Sequence, residues 1–136
     1  MGGAPVRLLL DTHIWLWGLL EPERLTQRVA AELEDPSNEL WLSSISIWEV
    51  LVLVEKGRVI LNTDATAWVR SVISKHPFKE APVNNEVAIQ SRLLTLPYED
   101  PADRFLLATA FVFDLTLVTA DERLIHSSGE RILANN

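Results

Sequence analysis

Short apolar runs alternate with longer helical stretches from one end of the sequence to the other. "VRLLL" (6–10), "ELWLS" (39–43), "FKEAPV" (78–83), "LTLVT" (115–119) and "RILAN" (131–135) read as strands, the first compact and apolar enough to be buried on both faces. Between them lie helical segments. One runs from Thr12 to Leu19 and is closed by the turn "EPER"; a second covers 26–35, with Thr26 as N-cap and Pro36 just beyond its end. A third, 46–57, opens on the capping box Ser46-x-x-Glu49 and stops at Lys56-Gly57. Residues 64–76 are amphipathic, with Trp68, Val72 and Ile73 along one side, and 85–94, 101–113 and a turn or two at 121–126 complete the set. Helices and short apolar strands that alternate from end to end predict a parallel sheet with helices on both faces. With 136 residues and no internal repeat, low-complexity tract or linker, residues 1–136 are expected to form a single domain with a sizeable core.

Within that frame the acids hold an unusual position. Asp11 follows three leucines directly, where an ionised carboxylate risks burial and needs compensation. Glu49, Asp103 and Asp121 also stand at transitions between elements. Each has a purely structural explanation. Asp11 can cap the helix that begins at Thr12, and Glu49 and Asp103 fall at third helical positions after Ser46 and Asp100, with Pro101 at the first position of its helix. Asp121 can cap its own short helix, and all four suit the helix macrodipole. Their joint placement asks for more. In an open parallel sheet, ligands bind beyond the carboxyl ends of the strands. Asp11 and Asp121 belong on that edge, and so does Glu49 in the opening turn after the second strand; Asp103 is less firmly tied to it, because its helix follows another helix. Two carboxylates about 4 Å apart repel by roughly 4 kcal/mol at an effective dielectric of 20. Four sharing a cleft call for cations, and hard divalent ions with oxygen ligands, Mg²⁺ or Mn²⁺, are the natural guests.

Composition narrows the setting. The absence of cysteine excludes disulfides, thiolate metal sites and a cysteine nucleophile, and suits a reducing cytosol. No uncharged apolar stretch approaches the roughly 18 residues of a membrane span. The opening "MGGAPVR" lacks the apolar core of a secretory signal and has no Ser or Thr at position 6 for myristoylation, so a cytoplasmic location is expected. A net charge of −7, from 12 basic and 19 acidic residues, argues against phosphate binding at first sight. Metal cations held by the acids would reverse the local sign.

The stretches "LLLDTHIWLW", "SSISIWEV" followed by Gly57-Arg58, "DPADRFLLATA" and "LVTADERL" resemble, in order and spacing, the PIN-domain ribonucleases. The most similar group is the VapC-type toxins of toxin–antitoxin pairs, and the likeness runs from about residue 6 to residue 133. Carried across residue by residue, the family's acidic quartet falls on Asp11, Glu49, Asp103 and Asp121, with Asp100 and the Thr119 hydroxyl at supporting positions. The resemblance implies a PIN-like three-layer α/β/α sandwich around about five parallel strands. It also implies a Mg²⁺- or Mn²⁺-dependent endoribonuclease, usually a homodimer, held inactive by a small antitoxin protein. Two positions depart from the pattern: Leu53 stands where many relatives carry lysine, and Tyr98-Glu99 where many carry a histidine before the DP motif.

On this reading one or two metal ions held by Asp11, Asp103 and Asp121 activate a water for attack on the scissile phosphate. Glu49 binds a second ion or serves as general base. Thr119 orients a water. Lys56, Arg58, Arg104 and Arg123 are candidate phosphate contacts, with helix-end or surface charge as the plainer alternative. The negative net charge points to recognition of folded or looped RNA by shape rather than tight sequence-blind binding. His13, His76 and His126 share no ligand spacing; His13 is nearest the site, and His76, before Pro77, suits a helix C-terminus. Trp15, Trp17, Trp41, Trp48 and Trp68 are expected in the core, above all Trp48 and Trp68, or else on a dimer or antitoxin surface.

Two other classes compete. A metal-dependent phosphatase or phosphoryl-accepting receiver domain also places aspartates at strand ends, but a receiver wants paired acids after the first strand and a lysine after the last, and "DT" and "RILANN" supply neither. A non-catalytic partner-binding module of the same fold has no need of a complete quartet.

Overall fold

The structure, a computed structural model, describes residues 5–76, 78–127 and 131–136. Residues 1–4 and Pro77 lie outside the described residues, and with them parts of the expectations about a signal segment and about the helix end at His76. In chain order the elements are β1 (Arg7–Leu10), α1 (Thr12–Leu20), a 3-10 turn (Pro22–Arg24), α2 (Gln27–Glu34), β2 (Glu39–Ser43), α3 (Ser44–Glu55) and α4 (Ala65–Lys75). They continue with β3 (Lys79–Ala81), α5 (Asn85–Leu93), α6 (Pro101–Phe113), β4 (Thr116–Thr119), α7 (Glu122–Ser127) and β5 (Ile132–Ala134). The expected strands at 78–83 and 131–135 form over shorter spans. All five strands are parallel, in the order β3-β2-β1-β4-β5.

Period-two alternation sorts the apolar side chains to both faces of this sheet. Leu8 and Leu10 of β1, Leu42 of β2 and Val118 of β4 pack with Ile14, Trp15, Val29, Val50 and Val69 from α1, α2, α3 and α4. Leu9 and Leu117 face the other way, against Leu106 and Ala110 of α6 and Leu124 of α7. Helix α5 packs on α6. The result is a three-layer α/β/α sandwich, as expected. No described helix is long and apolar enough to cross a membrane.

Local signals fix most helix ends. Thr26 accepts from the Val29 amide and Asp64 from the Ala67 amide, each satisfying a first-turn donor. Helix α3 ends as the Lys56-Gly57 pair predicts: the Gly57 amide bonds to Val54 and the Arg58 amide to Leu53, with Gly57 at φ +71°. Its start differs from expectation. Ser43, not Ser46, is the N-cap, accepting from the Ile45 amide, so the helix begins two residues earlier and the Ser46–Glu49 capping box does not form. Ser46 is buried a turn inside the helix and is bonded instead to Thr12.

Three tryptophan expectations also resolve. Trp15 is 2% exposed and Trp68 packs at the margin of the core, while Trp48, expected inside, is 56% exposed. Helix α3 already meets α1, α4 and α6, and Ile47, Val50 and Leu51 supply its apolar contacts to the core, so Trp48 is left on the outer side.

A Cβ at Gly57 would touch nothing within 4 Å, so substitution there tests the left-handed backbone alone. Gly57→Ala is expected to lower unfolding free energy by about 1 kcal/mol, and Gly57→Asn by less, in urea titrations followed by circular dichroism.

Candidate active site

The chain moves outward from β1 through β2 to β3, then returns to pair β4 on the opposite side of β1. Strand order therefore reverses between β1 and β4, and the crevice beyond their carboxyl ends is where such a sheet takes ligands. Asp11 leaves β1 there and Asp121 follows β4. The Asp11 amide bonds to the Val118 carbonyl at 2.9 Å, so the two strand ends are joined at this point.

Asp11 is 8% exposed and held through both oxygens: Oδ1 accepts from the Thr12 amide at 2.7 Å, and Oδ2 from the Thr119 hydroxyl at 2.6 Å. Thr119, itself fully buried, also accepts from the Asp121 amide at 3.1 Å and so ties the two acids together. Burial pushes the Asp11 carboxyl above its ordinary range, against the opposing pull of the Thr119 hydrogen bond. Glu49 comes from the second turn of α3. The buried Thr12 hydroxyl donates to Glu49 Oε1 at 2.5 Å and lies 3.0 Å from Ser46 Oγ, so Thr12 links α1 to α3. Burial raises Glu49 as well, and the Asp11 charge adds to that rise.

Helix α6 supplies the third acid. Asp100 caps it, accepting from the Asp103 amide at 3.2 Å, and Pro101 occupies its first position as the sequence suggests. One turn in, Asp103 is 7% exposed and accepts from the Tyr98 hydroxyl at 2.9 Å. Burial, reinforced by the charges of Asp100, Asp11 and Asp121, pushes Asp103 up to about 7 despite that hydrogen bond. Asp121 behaves oppositely. Burial alone would raise it, but the several bonds it takes from Arg123 outweigh that and hold it below the usual carboxylate range.

The capping explanation and the clustering are thus both true of Asp11, Asp100 and Asp121, whose carboxylates bond to helix-start amides on the crevice side. Glu49 caps nothing. All four quartet residues lie close enough for their charges to influence at least one other member. The donor set is wholly oxygen and contains three acids, Asp11, Glu49 and Asp103, driven toward protonation by burial, a set that suits a hard divalent ion. Among the described residues, however, no three acidic or histidine side chains stand around one point as a ready coordination sphere. Arg123 stands among them: its guanidinium bonds to Asp121 and reaches Asp103 and Asp100.

The four basic candidates part company. Arg104 is 7% exposed and donates to the Ser91 and Leu94 carbonyls at the end of α5 and to Glu99, so in this structure its guanidinium clamps α5 to α6. Its burial follows from its place on the face of α6 that receives α5. Lys56 caps the far end of α3, about 18 Å along the helix from the turn that begins at the sheet edge. Arg58 is exposed on a groove of about 560 Å³ shared with His13, Trp17, Arg24 and Leu53. Arg123 lies in the acid cluster itself. His13 is exposed, with its ring 6.0 Å from that of Trp17. The Thr12 bridge to Glu49 and the Tyr98 bond to Asp103 are absent from the expected site; the only hint of the first is the hydroxyl adjoining Asp11, and of the second the tyrosine five residues before Asp103.

The PIN domain family matches residues 8–129 of this chain. The sequence is 32% identical over 118 residues to ribonuclease VapC22 of Mycobacterium tuberculosis, covering 86% of this chain and 88% of that protein. Among solved structures, a toxin–antitoxin complex from Klebsiella pneumoniae superposes with a TM-score of 0.67 at 22% identity, covering 95% of this chain and 98% of that one. VapBC2 from Rickettsia felis, bound to a DNA fragment from its promoter, gives 0.68 at 15% identity, covering 96% and 100%. The structural likenesses speak for the fold, and the sequence matches go further: this chain belongs to the PIN-domain family, and within it to the VapC group.

Proposed function

We propose that the chain is a metal-dependent endoribonuclease and acts as the toxin of a toxin–antitoxin pair, with residues 1–136 forming one nuclease unit. The observation that carries this reading is the placement of Asp11, Glu49, Asp103 and Asp121 beside the β1–β4 crevice, from four separate stretches of chain. The name of the VapC22 relative supports RNA as substrate, and the solved toxin–antitoxin complexes support a cognate antitoxin. Asp11, Asp103 and Asp121, with Glu49, would hold one or two Mg²⁺ or Mn²⁺ ions. Such an ion, when bound, lowers the pKa of a water and offsets charge building on the phosphate.

The chain's own residues have distinct tasks. Thr119 and the Thr12 amide fix both oxygens of Asp11, so the carboxylate presents one orientation to the crevice. Thr12 fixes Oε1 of Glu49, which leaves Oε2 as the atom to take a proton from the attacking water. Asp103 must surrender its proton before it can serve as a ligand, and Tyr98 holds that carboxylate in place from the outer side. The groove beside Trp17 and Arg58, with Leu20 and Ile60 exposed at its rim, offers the antitoxin an apolar seat. Ile89 and Leu93, four residues apart on α5, are both exposed, and we assign this apolar stripe to a homodimer contact. All of this fits a cytoplasmic protein.

Asp11→Asn is expected to abolish RNA cleavage and weaken Mn²⁺ binding in calorimetric titration while the far-ultraviolet circular dichroism is unchanged. A folded Asp11→Asn protein with full metal-dependent cleavage would rule the mechanism out. Thr119→Val removes the hydroxyl that donates to Asp11 and accepts from the Asp121 amide, and should weaken Mn²⁺ binding about 10- to 100-fold.

Asp103 also makes a prediction for the metal-free protein. Its folded pKa of about 7 exceeds the ordinary value of 3.8, so between those pH values the native state holds more protons than the unfolded state. Stability contributed by protonated Asp103 is therefore full below about pH 4 and lost as pH rises through about 7. In chelator, melting temperature should fall over that interval, and Asp103→Asn should flatten the decline. An Asp103→Asn profile parallel to the parent's would contradict the burial argument.

A further inference from the structure

We infer that Arg123 is the resident cation of the acidic crevice, holding its carboxylates together until a divalent ion displaces it. This rests on the reading of the crevice as a metal site. The geometry that carries it is the position of one nitrogen. Arg123 Nη2 lies 3.1 Å from Asp121 Oδ2, 3.6 Å from Asp103 Oδ2 and 3.6 Å from Asp100 Oδ2, three acids from two separate segments of chain. Nε of the same guanidinium donates to Asp121 Oδ1 at 3.3 Å. The plane of positive charge is backed by the Tyr98 ring, with the guanidinium carbon 4.2 Å from the ring centroid, and Tyr98 in turn donates to Asp103.

An arginine placed this way answers two needs of a cation-free site. It offsets the mutual repulsion of Asp100, Asp103 and Asp121, and it gives their oxygens charge-assisted donors. It also stands where a divalent ion would have to be. Mg²⁺ binds oxygen at about 2.0–2.1 Å, and it cannot bridge the Oδ2 atoms of Asp103 and Asp121 while a like-charged nitrogen lies within 3.6 Å of both. The two cations therefore exclude each other. The side chain is free to leave, since it is 54% exposed and springs from the first turn of the short α7. Metal loading then carries the work of expelling Arg123, which lowers apparent affinity. The expelled guanidinium stays at the crevice mouth, where a phosphate group is its natural next partner.

The test is calorimetric titration of the metal-free full chain with Mn²⁺, comparing the parent, Arg123→Gln and Asp11→Asn, with circular dichroism to confirm folding. Arg123→Gln should bind Mn²⁺ about tenfold tighter than the parent, and its melting temperature should be lower in chelator and rise more on adding Mn²⁺. A residue that merely buttressed the site would weaken metal binding when removed. Unchanged or weaker affinity in folded Arg123→Gln overturns the inference while leaving the metal site intact, provided the parent binds and Asp11→Asn does not. No binding by parent or variant overturns both. If Arg123→Gln fails to fold, the parent alone decides: its Arg123 Nε–H resonance, identified by its loss in Arg123→Lys, should shift and broaden as Mg²⁺ is added, and a resonance indifferent to saturating Mg²⁺ overturns the inference.

Discussion

Strand β1 hydrogen-bonds to β2 on one side and to β4 on the other, and its Leu9 is wholly buried between layers of helices. Because the chain builds outward to one edge and then crosses to the other, the helices that follow β1 and β4 turn to opposite faces of the sheet at the strands' carboxyl ends. Every helix that starts nearby brings its amides to the same rim. Carboxylates at the first turns of α1, α6 and α7 are therefore stabilised locally by backbone donors, even though collectively they repel. This balance between local capping and shared repulsion gives the crevice its character. It explains how an acid such as Asp11 can sit nearly buried in a chain of net charge −7.

The same balance divides the acids into unequal partners. Asp121, more open to solvent and bonded to Arg123, keeps its charge readily, whereas Asp103 under α6 is driven toward the neutral form by burial. Glu49 follows Asp103 in direction, with Thr12 opposing the rise. Hydroxyl donors do much of the organising: Thr119, Thr12 and Tyr98 each take one oxygen of one acid and leave the other face of the crevice to incoming groups.

How far the sequence could be read depended on whether the deciding interaction was local. Strand–helix alternation, the Lys56-Gly57 stop and the Asp100-Pro101 start all rest on neighbours within a few residues, and each forms as expected. The acids at strand ends could be placed on one rim because a parallel sheet leaves them no other. What escaped were pairings across long separations. Ser43, Ser44 and Ser46 are equivalent caps by sequence, and only contact between Ser46 and Thr12, thirty-four residues away, draws Ser46 into the helix. Arg104 reads as a surface cation until α5 folds over it. Trp48 and Trp15 differ in fate because of which neighbours each helix meets, which no hydrophobic count reveals. Arg123 was legible as a cation near the rim, but not as one aimed inward at acids on another helix.

The bond between Thr119 and Asp11 spans 108 positions of chain, and the Asp11 amide reaches as far for Val118. Contacts so distant in sequence form late, since a long loop must close before they contribute. During synthesis, an N-terminal portion already emerged from the ribosome carries Asp11 and Glu49 but has no β4 to set them against. The crevice can be assembled only once β4 has been translated.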